Sequence, residues 1–98
     1  MLKRITDYLK SEHQLHSLRG EAIKTKRKLG TEYVNLIPVL FIPELKIPVE
    51  MTSDNKRDED YMALGMLPMI ISESATIPVE MYIDEFLEFH KEWKRGHI

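Results

Sequence analysis

Three prolines spaced five residues apart, Pro38, Pro43 and Pro48, are the strongest constraint on what this chain can fold into. Each lacks an amide hydrogen and clashes with the preceding turn, so no helix interior can run through residues 33–51. The apolar residues there follow a period of two instead. Leu45, Ile47, Val49 and Met51 alternate with Lys46, Pro48 and Glu50, the pattern of a half-buried strand. Val39-Leu40-Phe41-Ile42 is a second β-prone run, and Pro43-Glu44 between the two predicts the centre of a hairpin turn. Prolines in both arms remove ladder donors, so these arms are expected to be edge strands or irregular extended segments. Leu67 to Ser72 is apolar and reads as a third short strand.

Helical patterns flank this region. Residues 2–29 read as one long helix, with Leu2, Ile5, Leu9, His16 and Ile23 near one stripe. Gly20 costs such a helix about 1 kcal/mol relative to alanine, so a kink or a division into two is allowed for. Gly30 then stands just past the C-terminus, and Lys24, Lys26, Arg27 and Lys28 occupy the last turns, facing the negative end of the helix dipole. The C-terminal pattern is clearer. Pro78 suits a first turn, and Val79, Tyr82, Ile83, Phe86, His90 and Trp93 form one stripe. Glu80, Asp84, Glu85 and Glu88 load the early turns, Lys91, Lys94 and Arg95 the late ones, and Gly96 follows. Between these elements, residues 52–60 read as a solvated loop, and Tyr61 to Met66 as one helical turn that Gly65 ends.

The expected fold class is therefore α+β: a long N-terminal helix, a proline-marked β-hairpin plus a third short strand, and a C-terminal amphipathic helix over the sheet. The alternative is a mainly α domain whose segment 33–51 is extended but unpaired. At 98 residues the chain is expected to form a single domain over 1–98. The segment Ile47 to Met51 recurs as Ile77 to Met81, but the flanks differ. Chance repetition is the simpler reading; the other is a pair of equivalent elements, each a helix entered through proline.

Composition narrows the function classes. With 43% hydrophobic and 31% charged residues the chain is neither disordered nor collagen-like. No apolar run nears the ~20 residues that span a bilayer, so no membrane association and a cytoplasmic location are expected. Cys 0 removes disulfides, thiolate nucleophiles and cysteine-based metal sites. Net charge is -2 but lopsided: residues 1–30 hold 8 Lys/Arg against 3 Asp/Glu, while residues 31–98 hold 6 against 13.

Chemistry-bearing constellations are sparse. His13 and His16, spaced i, i+3 beside Glu12, could share a metal on a helix, but no third ligand is identifiable. His90 falls on the apolar stripe, as a core or interface histidine would, and His97 is terminal and expected to be mobile. There is no nucleophile elbow, no phosphate-cradling glycine loop and no calcium loop around Asp58 and Asp60. No enzymatic activity, cofactor or metal is expected. The leading expectation is a small interaction or regulatory module, homo-oligomeric, that occludes or bridges a protein partner. Its anchors would be Phe86, Phe89, His90 and Trp93 on the aromatic-rich last helix. The alternative is a nucleic-acid-binding regulator that contacts anions through Arg19, Lys24, Lys26, Arg27 and Lys28.

Overall fold

A computed structural model describes residues 1–96, and the His97 expectation lies outside them. The architecture is α+β, with three helices, a two-stranded sheet and a three-stranded sheet. Helix α1 spans Leu2–His13, and strands β1 (Ile23–Leu29) and β2 (Glu32–Leu36) form the first hairpin. Strands β3 (Leu40–Ile42) and β4 (Ile47–Glu50) form the second. Helix α2 (Asn55–Ala63), strand β5 (Met69–Ile70) and helix α3 (Val79–Arg95) complete the chain.

The long helix over 2–29 is overturned. α1 stops at Gln14, which takes a left-handed conformation (φ 53) while the amides of Gln14 and Leu15 both reach back to the Leu9 carbonyl. That arrangement satisfies end carbonyls and reverses the chain. Residues 23–28 alternate, with Ile23 and Thr25 buried and Lys24, Lys26 and Lys28 exposed, and this two-residue period belongs to a strand. Gly30 is accordingly not a helix cap. With φ +67 it holds the first position of the two-residue Gly30-Thr31 turn, the place a type II′ hairpin reserves for glycine.

The proline-marked hairpin is present, pairing Leu40 with Val49 and Ile42 with Ile47. Its expected edge position holds for β3 but not for β4, which is the central strand between β3 and the parallel β5. The sheet tolerates Pro48 there because nothing demands its missing donor. Phe41, opposite Pro48, exchanges both its backbone hydrogen bonds with Leu18 on the other side, at 2.8 and 2.9 Å, and the ladder to β5 begins only at Val49. With these strands paired, the mainly α alternative falls. The expected third strand is β5.

The solvated loop over 52–60 is also corrected, since most of it is α2. Asp54 caps that helix, its carboxylate accepting from the amides of Lys56 (3.0 Å) and Arg57 (3.2 Å). Only Tyr61 of α2 is buried, so the apolar periodicity that reveals a helix is absent. Gly65 (φ +77) ends it, with the Met66 amide on the Tyr61 carbonyl and the Gly65 amide on that of Met62. The repeated IPVEM segment has no common structure. Its first copy is β4, while the second enters α3 through Pro78.

The three-stranded sheet is a middle layer. Leu40, Ile42, Ile47, Val49, Met69 and Ile71 pack with Ile5 and Leu9 of α1 and with Val79, Ile83 and Leu87 of α3. Phe41, between Leu40 and Ile42, points the other way, into a second cluster of Ile23, Leu36 and Tyr61. The β1–β2 hairpin and α2 therefore cover the opposite side of the sheet from α1 and α3. Alternation along β4 does the same for Glu50, which meets α2 rather than the main core. Among the described residues no helix is long and apolar enough to cross a membrane.

Candidate functional site

The basic residues that were expected on a helix end lie instead on a two-faced ribbon. The inner face of the β1–β2 hairpin carries Ile23, Thr25, Val34 and Leu36 against the Tyr61 cluster. Arg27 belongs to this side. Its guanidinium grips Asp60 of α2 through two nitrogens, Nε at 3.0 Å and Nη2 at 2.9 Å, and so is committed to holding the ribbon in place. On the outer face Lys28 stands opposite Tyr33 and Lys24 opposite Asn35. Both ammonium groups approach the Tyr33 ring, at 4.7 Å for Lys24 and 4.9 Å for Lys28. Lys26 is exposed, and among the described residues none of the three lysines forms an ion pair. Arg19 is exposed in the bend before β1. The ribbon thus unites Lys24, Lys26 and Lys28 with Tyr33 and Asn35, and separates Arg27 from them. The alternation of lysines from 24 to 28, followed by Gly30-Thr31, was the signal that could have revealed this ribbon in the sequence.

The four aromatic-helix residues divide by depth. His90 is buried and Phe86 and Trp93 are half-buried, forming a ladder with ring centroids 6.1 Å (Phe86 to His90) and 5.8 Å (His90 to Trp93) apart. Burial, with a contribution from Lys94, holds the His90 imidazole below its ordinary pKa. Only Phe89 is fully outside, at 58% exposure.

A third group joins α1 to α3. Arg4 grips Glu80 through two nitrogens, with Nη2 at 2.6 Å, and this pairing holds the Glu80 carboxyl below its usual range. One turn further, the carboxylate of Asp84 accepts from the Tyr8 hydroxyl at 2.8 Å and is bonded to His13 Nε2 at 2.8 Å. The His13 bond first, and then that of Tyr8, lower the Asp84 pKa. The same carboxylate pushes the Tyr8 hydroxyl up to about 12. His13 and His16 do not converge on a metal, because His16 turns to Glu44, with Nδ1 at 2.5 Å. Among the described residues no three His, Cys, Asp or Glu side chains form a group able to hold a metal ion.

Beneath the ribbon, Glu50 accepts from Tyr61 Oη and from the Arg57 guanidinium. Burial, then the Glu50 hydrogen bond, raises the Tyr61 pKa. The trio has no signature in the sequence, where Arg57 falls within the expected loop over 52–60. Compared with known protein families, curated proteins and solved structures, the chain matches none.

Proposed function

We propose that this chain is a non-enzymatic binding module whose working surface is the outer face of the β1–β2 ribbon, and that its ligand is a nucleic acid. The observation that carries this reading is the placement of Lys24 and Lys28 on either side of the exposed Tyr33 ring, with Lys26 unneutralised beside them. Cations spaced along a strand suit a phosphate backbone. A two-stranded antiparallel ribbon has the width to enter a major groove, and a tyrosine ring offers a stacking platform to an unpaired base. The other explanation of the basic run, neutralising a helix end, no longer applies because the run is not helical. The ribbon's inner face is already bound to α2, which leaves the outer one for a partner.

Fluorescence anisotropy with single-stranded and duplex oligonucleotides across a salt series tests the reading. Binding is expected to weaken steeply with salt, and the variant Lys24→Gln/Lys26→Gln/Lys28→Gln to reduce the salt slope by about 2–3. Absence of binding at low salt, or a triple variant that binds like the parent, would overturn it.

Self-association through α3 is the second reading, and the exposed Phe89 beside the Phe86–His90–Trp93 ladder favours it. Sedimentation equilibrium is then expected to show a dimer that Phe89→Asp dissociates. A strict monomer at high concentration would remove this reading.

A further inference from the structure

A cavity of about 500 Å³ lies between α1 and α3, on the side of the molecule away from the ribbon. Its apolar wall is Leu15, Leu45 and Leu87, and its carboxylates are Glu12, Asp84 and Glu88. His13, bonded to Asp84, and Lys91, whose ammonium lies 3.5 Å from Glu88, also line it. The acidic groups outnumber the basic ones, and the volume is within the range of small-molecule sites, about 300–1,000 Å³.

A second observation points to a ligand. His90 lines the same cavity and is only 4% exposed, yet its ring makes no hydrogen bond among the described residues. Among the described residues no buried polar side-chain atom lacks a partner, so the His90 nitrogens keep contact with solvent, and His90 lines this cavity. The Phe86 and Trp93 rings hold the imidazole in place from either side. A largely buried imidazole with no protein partner offers a hydrogen-bonding nitrogen to whatever occupies the cavity.

We infer that this cleft binds a small organic cation, a primary amine with an aliphatic or aromatic body. The ammonium donates to the open His90 nitrogen and to the carboxylates of Glu12 and Glu88. The body lies on Leu15, Leu45 and Leu87. Asp84 is already engaged by Tyr8 and His13, so it adds field rather than a direct bond.

Hexylamine is a suitable probe, with hexanol and hexanoate as controls of equal chain length. In NMR titrations of the labelled protein, hexylamine is expected to shift the His90 imidazole and the methyls of Leu45 and Leu87. Hexanol should bind at least about tenfold more weakly, and hexanoate should leave these signals in place. The variant His90→Phe keeps the ring ladder and removes the nitrogen, and should weaken hexylamine binding about tenfold or more. Glu12→Gln/Glu88→Gln alters only exposed side chains, so it tests the same point should His90→Phe not fold. Equal binding of hexanol and hexylamine would overturn the inference, as would Gln variants that bind hexylamine like the parent. So would cleft signals that do not move at concentrations of about 50 mM, well beyond millimolar affinity.

Discussion

Tyr61 Oη donates to Glu50 Oε2 at 2.7 Å, and both residues are buried, 0% and 7% exposed, between the central strand and α2. Arg57 Nη2 closes on the same oxygen and reaches the Ile37 carbonyl at 3.4 Å. One carboxylate on the back of β4 thus ties α2, β4 and the segment after β2 together.

Tyr61→Phe should lower stability by about 1–3 kcal/mol, the usual result of withdrawing one donor from a buried charged acceptor. Glu50→Ala should cost more, because it strands both the tyrosine hydroxyl and the guanidinium. Urea denaturation checks the order. Equal midpoints for the parent and Tyr61→Phe would show that the bond contributes nothing.

Asp84 contributes to acid stability at the α1–α3 seam, alongside Glu80, whose carboxyl the Arg4 pairing also holds low. Its folded pKa is depressed, so its stabilisation is complete above the ordinary aspartate value of about 3.9 and is lost as pH falls further. Asp84→Asn should therefore be less stable than the parent at pH 7, and the gap should narrow below about pH 3.9. Thermal melts from pH 7 to 2 measure this. A gap that stays constant over that range would mean that Asp84 gains nothing from His13 and Tyr8.

Burial, with a contribution from Lys94, also depresses the folded pKa of His90, so folding favours the neutral ring. Its contribution is complete above the unfolded value of about 6.5 and is lost as pH falls through the folded value. The parent should lose stability from about pH 6.5 downward. His90→Phe should flatten that part of the profile, as read in chemical-denaturation midpoints at intervals between pH 7.5 and 5.

The basic residues of β1 should separate by face. Lys24, Lys26 and Lys28 are exposed, so each Gln substitution is expected to stay within about 0.5 kcal/mol of the parent. Arg27→Gln should lower the unfolding midpoint, because Asp60, only 11% exposed at its side chain, loses its partner. Equal midpoints for Arg27→Gln and Lys26→Gln would contradict the two-faced ribbon.

Much of the architecture was legible because local chemistry decided it. The prolines excluded a helix over 33–51 and marked the β3–β4 hairpin, and periodicity, terminal charge and Pro78 defined α3 almost to its ends. At these places propensity, pattern and capping agree. The end of α1 was not legible: Gln14 carries no strong breaker signal, and the stripe of Leu2, Ile5 and Leu9 continues by coincidence through His16 and Ile23. α2 was hidden because its stability depends on one buried tyrosine and an aspartate cap rather than on an apolar face.

The basic residues were identifiable as a group, but their partition was not. Only pairing between β1 and β2 places Tyr33 under Lys24 and Lys28, and only the packing of α2 withdraws Arg27 toward Asp60. The cleft beside His90 likewise joins residues more than seventy positions apart. Sequence by itself determined where the backbone could and could not be helical, because steric and hydrogen-bonding limits act within a few residues. Tertiary structure alone decided which charges are paired and which are free, because that depends on contacts between elements with no local signature.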